Sequence, residues 1–310
     1  MGRSSLLSGE PSSVGTIELM TIARITDPLT IADYNLAYVC TTGVLHFSDG
    51  SYALFKNKDF GRTHLDDRLW LDGNLFGVLG MTTWAGDDPL KDEYSGFSIG
   101  ANSSGLLVCD SNVVTLDGLV NYDVMTEVAL REGTNVHTAA NAVRKACAEK
   151  ETSWGNLVMI DSQSAISVEI RGKETRIVSL NGPSARSNHH VELGFHELQA
   201  DIMTTEKRLV SAQRQVSTAK SIEDLFSLQA SHDDGATGVC NHSDLNTVYS
   251  YVLHRKDEVT TLHVLQGRPC SGSERKAIVI PFNSEFSSDS VANFLAAYPT
   301  ATKSNFAVVA

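Results

Sequence analysis

The chain has 310 residues, of which 42% are hydrophobic and 20% are charged, and its formal net charge is −12 at pH 7. This composition is typical of a globular protein with a substantial core, and the acidic balance argues against nucleic acid or an anionic membrane as a partner. No window reaches the roughly 18 apolar residues of a transmembrane helix, and the N-terminus lacks the apolar segment of a secretory signal. A cytoplasmic location is therefore predicted.

The cysteines are odd in number and widely spaced, with no CxxC pair; they are Cys40, Cys109, Cys147, Cys240 and Cys270. This pattern favours reduced thiols over a disulfide scaffold or a zinc site. His189, His190 and His196 lie close together in the sequence but have no identifiable acidic partner. Ordinary loop histidines are the favoured interpretation, and no metal or other cofactor is predicted.

The first structured element in chain order is a predicted hairpin over residues 38–60, after a leader rich in Ser, Gly and Pro at its start. Asp49-Gly50 separates two runs rich in Val, Leu, Phe and Tyr, and glycine accepts the positive φ of a tight turn. The first strand is predicted to begin at or just before Cys40, and the second to end near Asp59. This arrangement would place a thiol and a carboxylate at one pocket mouth.

The elements after the hairpin alternate in groups: strands, two helices, strands, two helices, and strands. The four central helices are predicted over residues 122–131, 136–150, 204–220 and 222–231. Because the helices come in pairs, antiparallel sheets layered with helices are favoured over a parallel sheet. Residues 84–95 are predicted to form a loop or a lid, in which Trp84 either lines a substrate pocket or packs in the core.

Several short motifs follow one another in an order that resembles a known enzyme family. They are Cys40-Thr41-Thr42; Asn57-Lys58-Asp59; Gly100-Ala101-Asn102-Ser103-Ser104-Gly105-Leu106; Gly155-Asn156 with Asp161; Ser187-Asn188-His189; Thr247; and Gly267-Arg268-Pro269-Cys270. Together they resemble the cysteine N-terminal-nucleophile (Ntn) hydrolases, in the branch of isopenicillin N acyltransferase and carcinine hydrolase. Choloylglycine (bile-salt) hydrolases, penicillin V acylases and acid ceramidase are more distant members.

The resemblance implies an α+β fold, a four-layer αββα sandwich with antiparallel sheets, in which a leader of residues 1–39 precedes a catalytic domain of residues 40–310. It also implies self-cleavage, in which the Cys40 thiol attacks the Val39 carbonyl and the thioester is then hydrolysed. The freed α-amino group, with an ordinary pKa of about 7.7–8, would serve as the general base for the same thiol. The substrate would be a small N-acyl or β-alanyl amide, either hydrolysed or used for acyl transfer.

By the same resemblance, Asp59 would orient the amine or the thiol, and Asn102 and Asn188 would donate N–H groups to the oxyanion. Thr41, Lys56 and Asn57 are candidate supporting residues. In bile-salt hydrolases an arginine stands where this chain has Lys56. The family often has Cys-Arg-His where this chain has Cys240-Asn241-His242, so that arginine has no counterpart there.

Two readings of the residues remain open at this point. In the first, the chain is an autoprocessed amidase or N-acyltransferase, with a heterodimer of leader and main chain, or a homo-oligomer, among its possible assemblies. In the second, it is a non-catalytic binding protein on the same fold, with Cys40 an unprocessed structural thiol. From the residues alone, free cysteines are usually small buried hydrophobes, and Asp59, Asn102 and Asn188 are ordinary turn residues.

Overall fold

The structure, a computed structural model, describes residues 38–61, 65–83, 93–113, 120–195, 203–233, 238–242 and 245–300. The expectations for Trp84, for His196 and for residues 1–37 of the leader lie outside the described residues.

The described part of the chain forms thirteen strands and five α-helices. The strands are β1 Tyr38–His46, β2 Tyr52–Phe60, β3 Leu69–Leu71, β4 Leu75–Thr83, β5 Glu93–Asn102, β6 Leu107–Asn112, β7 Thr152–Ile160, β8 Ala165–Gly172, β9 Glu174–Ser179, β10 Ser184–Arg186, β11 Asn246–Lys256, β12 Val259–Gln266 and β13 Lys276–Val279. The helices are α1 Asp123–Glu132, α2 Val136–Glu149, α3 Met203–Val216, α4 Ile222–Gln229 and α5 Ser288–Ala297. None of these helices has the length and hydropathy that crossing a bilayer requires.

These strands form two antiparallel sheets. The first has the order β10-β1-β2-β11-β12-β13, and the second has the order β3-β4-β5-β6-β7-β8-β9. Antiparallel pairing runs through every neighbouring pair within both sheets. The predicted antiparallel architecture is confirmed.

Three apolar clusters show how the layers stack. Leu54 and Phe60 of the first sheet pack against Phe76 and Ile99 of the second, which defines the core between the sheets. A second cluster joins α1 and α2 to the outer face of the second sheet. A third joins α3 and α4 to the outer face of the first sheet, where Phe55 lies. The order of layers is therefore helix, sheet, sheet, helix, as the predicted αββα sandwich requires.

The position of strand β2 inside the first sheet explains why its polar residues are buried. Its side chains alternate between the core between the sheets and the helix-covered face, since successive residues of a strand point to opposite sides. All nine of its residues are buried, because both faces of the first sheet are covered. Lys56, Asn57, Lys58 and Asp59 therefore have to find partners inside the protein.

The hairpin turn before β2 has five residues, 47–51, rather than the two of a tight turn. Gly50 adopts φ 85°, and the Asp49 side chain accepts hydrogen bonds from the backbone and hydroxyl of Ser51. The last strand pair before the turn is His46 with Tyr52. This loop length sets the register of the two strands, and through it the face on which each polar residue lies.

Three of the helices begin at a side-chain cap that the sequence supplies. Asn135 caps α2, Ser221 caps α4 and Ser287 caps α5, each through a reciprocal capping box. Helix α1 has no side-chain cap, and its first residue, Asp123, is buried instead.

Candidate active site

Cys40 lies where β1 loses its outer neighbour. Strand β10 pairs with β1 only over Thr42–Val44, where Thr42 faces Arg186. Continuing that register would place Asn188 opposite Cys40, but the ladder has already ended there. The backbone N–H and C=O of Cys40 on this edge are therefore bonded by side chains instead of by a strand.

Two side chains hold the backbone of Cys40. Its N–H, the nitrogen of the Val39–Cys40 peptide bond, donates to Asn188 Oδ1 at 2.9 Å. Its carbonyl accepts from Arg208 Nη1 at 2.9 Å, and Arg208 Nη2 donates to the same Asn188 Oδ1 at 2.9 Å. Arg208 comes from α3 and is fully buried. The guanidinium and the amide oxygen thus bracket the main chain at Cys40.

The Asn188 amide is oriented by its other contacts. Its Nδ2 donates to the Asn112 carbonyl at 2.8 Å, and its backbone N–H donates to Thr205 Oγ1 at 2.7 Å. Since a carbonyl accepts only, Nδ2 faces Asn112 and the oxygen faces Cys40. Asn188 therefore presents an acceptor to the Cys40 nitrogen, whereas the resemblance implied an N–H donor to an oxyanion.

Asp59 faces the other side of the first sheet from the Cys40 side chain. The register pairs Cys40 with Lys58 and Val39 with Asp59, and directly paired residues share a face. Asp59 Oδ1 accepts from Thr247 Oγ1 at 2.6 Å. Burial raises the pKa of Asp59 to about 6, against the opposing effects of the Arg208 charge and hydrogen bonds from Thr247 and Asn241. This carboxyl therefore lies opposite Val39, on the other face of the sheet from the thiol.

The Cys40 side chain opens onto a small cavity between the sheets. Its lining comprises Cys40, Lys56, Lys58, Met81, Ser98, Asp110, Tyr122 and Asp123. Cys40 itself is 3% exposed, and this burial raises the pKa of its thiol to about 11, with Lys56 as the main opposing charge. In the intact chain the thiol is thus protonated and closed off from solvent.

Lys56 crosses this space and binds the opposite sheet. Its Nζ donates to the Ser98 carbonyl at 2.9 Å, to the Asp110 carbonyl at 2.8 Å and to Asp110 Oδ1 at 2.7 Å. The β5–β6 ladder ends at the pair Ile99–Cys109, so the ammonium fills the place where these two strands part. Burial alone would lower the pKa of Lys56, but Asp110 and Cys40 raise it, and the side chain is a fixed cation.

A second buried carboxyl adjoins Asp110. Burial raises the pKa of Asp123 well above its usual range, and the Asp110 charge raises it further. Asp110 Oδ2 accepts from Thr126 at 3.1 Å, and Asp123 Oδ2 accepts from Asn121 at 2.7 Å. Two buried carboxyls in contact cannot both ionise cheaply, so Asp123 holds a proton while Asp110 pairs with Lys56.

Lys58 is neutralised in the same way. Its Nζ lies 3.2 Å from Asp67 Oδ1, and both groups are buried. Asp67 Oδ2 also accepts from the hydroxyls of Tyr251 and Tyr298, each at 2.6 Å. Both lysines of the cavity therefore carry a carboxylate partner.

Asn102 is not brought to Cys40. Its Nδ2 donates to the carbonyls of Leu130 and Gly133 at 2.9 and 2.7 Å, and its Oδ1 accepts from the Leu106 backbone. It thus closes the C-terminal end of α1, whereas the cavity lies at Asp123, the opposite end. A helix of ten residues spans about 15 Å, so the Asn102 amide is occupied and remote.

The remaining expected residues act as supports. Thr41 is buried, and its Oγ1 accepts from Arg208 at 3.3 Å. Asn57 Nδ2 donates to the carbonyls of Gln229 and Val239, each at 2.9 Å, and so fixes the segment after α4. His189 Nδ1 contacts Thr205 Oγ1 at 3.1 Å, and His190 Nε2 contacts the Ile170 carbonyl at 3.0 Å. These two histidines bond to separate partners.

Sequence reasoning missed Arg208, Asp110 and Asp123. Arg208 lies in a predicted helix directly after Glu206 and Lys207, where a buried arginine looks like a solvated one. Asp110 directly follows the apolar residues 107–109 of β6, and a carboxylate next to such a run in a strand is a usable signal, because a buried charge needs a partner. The natural partner of that carboxylate was Lys56, which interrupts β2 in the same way.

No protein-family model matches the sequence, and no curated protein matches it. Solved structures do match. An N-acylethanolamine-hydrolyzing acid amidase ortholog from Caenorhabditis elegans is 14% identical, with 69% of this chain and 92% of that chain covered and a TM-score of 0.46. A variant of the conjugated bile acid hydrolase from Clostridium perfringens is 14% identical, with 80% and 98% covered and a TM-score of 0.46. The penicillin V acylase from Agrobacterium tumefaciens is 14% identical, with 81% and 89% covered and a TM-score of 0.49.

Proposed function

We propose that the chain is a cysteine amidohydrolase or N-acyltransferase that activates itself by cutting the Val39–Cys40 bond. The observation that carries the proposal is the shell around that bond. Its nitrogen donates to Asn188 Oδ1, Arg208 holds the adjacent carbonyl, and Asp59 lies opposite Val39. A merely structural cysteine in a strand needs no such set of buried polar groups, which is costly to assemble.

The cleavage step uses the groups already at the bond. The Cys40 sulfur attacks the Val39 carbonyl carbon, the C–N bond breaks, and the nitrogen takes up the proton that the thiol releases. Water then hydrolyses the thioester, which leaves a carboxylate on Val39 and returns a proton to sulfur. Because Asn188 Oδ1 already accepts from this nitrogen, it also holds the new α-amino group in place.

The shell suits the free amine as a base. Arg208 donates to the oxygen that the Cys40 nitrogen contacts, so its positive charge disfavours protonation of the amine. Asp59 opposes this effect from the other side. A neutral amine can take the thiol proton as the thiol attacks a substrate amide, and pass it to the departing amine. The acyl-enzyme then goes to water or to a second amine.

The cavity favours a neutral acyl group. Its two lysines are paired with Asp110 and Asp67, and Asp123 holds a proton. Met81 and Tyr122 complete the lining. The cavity beside Cys40 holds only about 10 Å³ in the uncut chain, so we propose that it takes the neutral acyl part of a small N-acyl amide only after residues 1–39 have been released. A β-alanyl group, whose ammonium is cationic, fits this lining less well. Hydrolysis is the simpler outcome because transfer needs a second binding site.

Intact-mass spectrometry of the purified protein tests the proposal. We expect a species of residues 40–310, with residues 1–39 released or bound as a separate chain, and an uncut chain for Cys40→Ala. Cys147→Ala is the matched control, because Cys147 is a buried thiol on α2, and it should cleave normally. An uncut wild-type chain whose Cys40 resists iodoacetamide would overturn the proposal. A Cys40→Ala chain that still loses residues 1–39 would refute self-cleavage.

A further inference from the structure

Four side chains converge at a second place, next to the candidate active site but outside it. They are His232 after α4, Cys240 and His242 in the following segment, and Cys270 after β12. Their ligand atoms, one from each residue, all lie within 4.8 Å of one another. We call this group the His2Cys2 cluster.

Hydrogen bonding does not account for this geometry. His242 Nε2 lies 3.1 Å from His232 Nε2, 3.3 Å from Cys240 Sγ and 3.0 Å from Cys270 Sγ. One imidazole nitrogen carries either a single proton or a single lone pair in the ring plane, so it makes one good hydrogen bond. Three simultaneous short contacts at one such atom indicate that the four groups surround a common point.

The distances are close to those of a tetrahedral metal site. Zn–S bonds of about 2.3 Å and Zn–N bonds of about 2.0–2.1 Å give ligand-to-ligand edges of about 3.3–3.8 Å. The three distances from His242 Nε2, 3.0–3.3 Å, lie at or slightly below this range, and the other separations among the four ligand atoms do not exceed 4.8 Å. A disulfide between Cys240 and Cys270 would use the sulfurs but would leave the approach of both imidazoles unexplained.

We propose that the His2Cys2 cluster binds one Zn²⁺ through two thiolates and two neutral imidazoles. Two sulfur and two nitrogen ligands in a tetrahedron are the donor set typical of zinc. With four protein ligands the coordination sphere is closed, so the ion has a structural role rather than a catalytic one. Sequence spacing disfavoured zinc because the ligands come from three separate segments, with only Cys240 and His242 near each other.

The site would pin the segment that supports Asp59. Between the two ligands Cys240 and His242 stands Asn241, whose N–H donates to Thr247 Oγ1 at 2.9 Å and whose carbonyl accepts from the Thr247 N–H at 3.0 Å. Thr247 in turn donates to Asp59 at 2.6 Å. The ion would thus fasten the ends of α4 and β12 to the segment that contacts the candidate active site.

Metal analysis of the purified full-length chain tests the proposal without reference to activity. After expression with added zinc and removal of loosely bound metal, elemental analysis should find about one zinc per chain. Replacing zinc with Co²⁺ should produce thiolate-to-cobalt charge-transfer bands and the intense ligand-field bands of a tetrahedral site. Titration with an organomercurial should release the zinc stoichiometrically, as a coloured complex with a metallochromic dye.

Variants separate this cluster from adventitious binding. Cys240→Ser, Cys270→Ser, His232→Gln and His242→Gln should each lose the zinc and the cobalt spectrum. His137→Gln, an exposed histidine on α2, and Cys147→Ala should retain both. Wild-type protein without zinc, zinc retained by all four cluster variants, or a Cys240–Cys270 disulfide under reducing conditions would overturn the proposal. Where a variant fails to fold, the Co²⁺ spectrum of the wild-type protein still tests the proposal, because its charge-transfer bands require thiolate ligands.

Discussion

Replacing Arg208 with Met removes the guanidinium that binds Cys40 and Asn188 and whose charge acts on Asp59. Most of the side-chain volume is kept. The variant loses two hydrogen bonds of 2.9 Å, to the Cys40 carbonyl and to Asn188 Oδ1, and one of 3.3 Å to Thr41. Hydrogen bonds from charged groups contribute about 1.5–3 kcal/mol each. With only the two short bonds counted, the free energy of unfolding should fall by about 3–6 kcal/mol.

Arg208→Met should also raise the pKa of the Asp59 carboxyl. Arg208 is the largest influence that keeps the pKa of Asp59 from rising further than about 6, so its removal should move that pKa upward. Self-cleavage that depends on ionised Asp59 should then have its pH inflection at a higher pH, and a lower rate near neutrality. Arg208→Lys should retain the position of the inflection better than Arg208→Met, since it keeps the charge but not the bidentate fork.

Urea denaturation of Arg208→Met in a Cys40→Ala background, where every chain is uncut, measures the loss in the free energy of unfolding. Self-cleavage rates from pH 5 to 9, followed by mass spectrometry in chains that retain Cys40, measure the shift of the pH inflection. Lys207→Met is the matched control, because Lys207 is the preceding residue of α3 and is exposed. A loss of less than about 1 kcal/mol for Arg208→Met, together with an unchanged pH profile, would refute this account of the shell.

Three further changes probe other parts of the site. Because the pKa of Asp59 is raised from 3.8 to about 6, its contribution to stability is complete below about pH 4 and is lost as the pH rises through about 6. In urea titrations, Asp59→Asn should therefore make the free energy of unfolding less dependent on pH between about 4 and 6. An unchanged dependence on pH would contradict the assignment. Lys56→Met should lower stability by about 3–5 kcal/mol by leaving Asp110 unpaired, and the double variant Lys56→Met/Asp110→Leu should recover part of it; additive losses in this double-mutant cycle would argue against the pair. Asn102→Ala should cost about 1–3 kcal/mol of stability yet leave the self-cleavage rate of the folded chain within a few-fold of wild type, whereas a hundredfold slower cleavage would restore Asn102 to the reaction centre.

The sequence predicted the layers well because they depend on local patterns. Paired helices, a glycine in a turn and an asparagine before a helix are readable from neighbouring residues. The face of the sheet on which Asp59 lies could not be predicted from the sequence, because it depends on the length of the hairpin loop. A two-residue loop at Asp49-Gly50 would have paired Cys40 with Asp59, since their distances from the turn match. The five-residue loop pairs Cys40 with Lys58 instead, and a shift of one residue changes the face.

The contacts of the candidate site were harder still, because they join distant segments. Asn188 was found through a motif, but the direction of its amide is set by the Asn112 carbonyl on another strand. Arg208 gives no local sign of burial, since its helix presents charged residues on the solvent face as well. Such placements follow from packing between layers, which no window along the chain contains.

The shell around Val39–Cys40 also has a consequence for biosynthesis. The residues that meet at Cys40 are separated from it by 148 and 168 positions along the chain, and Lys56 must reach across to the other sheet. None of these contacts forms before both sheets and α3 have been made and packed, because contacts between distant segments form late. If the chain cuts itself as proposed, the Val39–Cys40 bond of a nascent chain therefore stays intact until these contacts form, and cleavage at Cys40 would report that folding is complete.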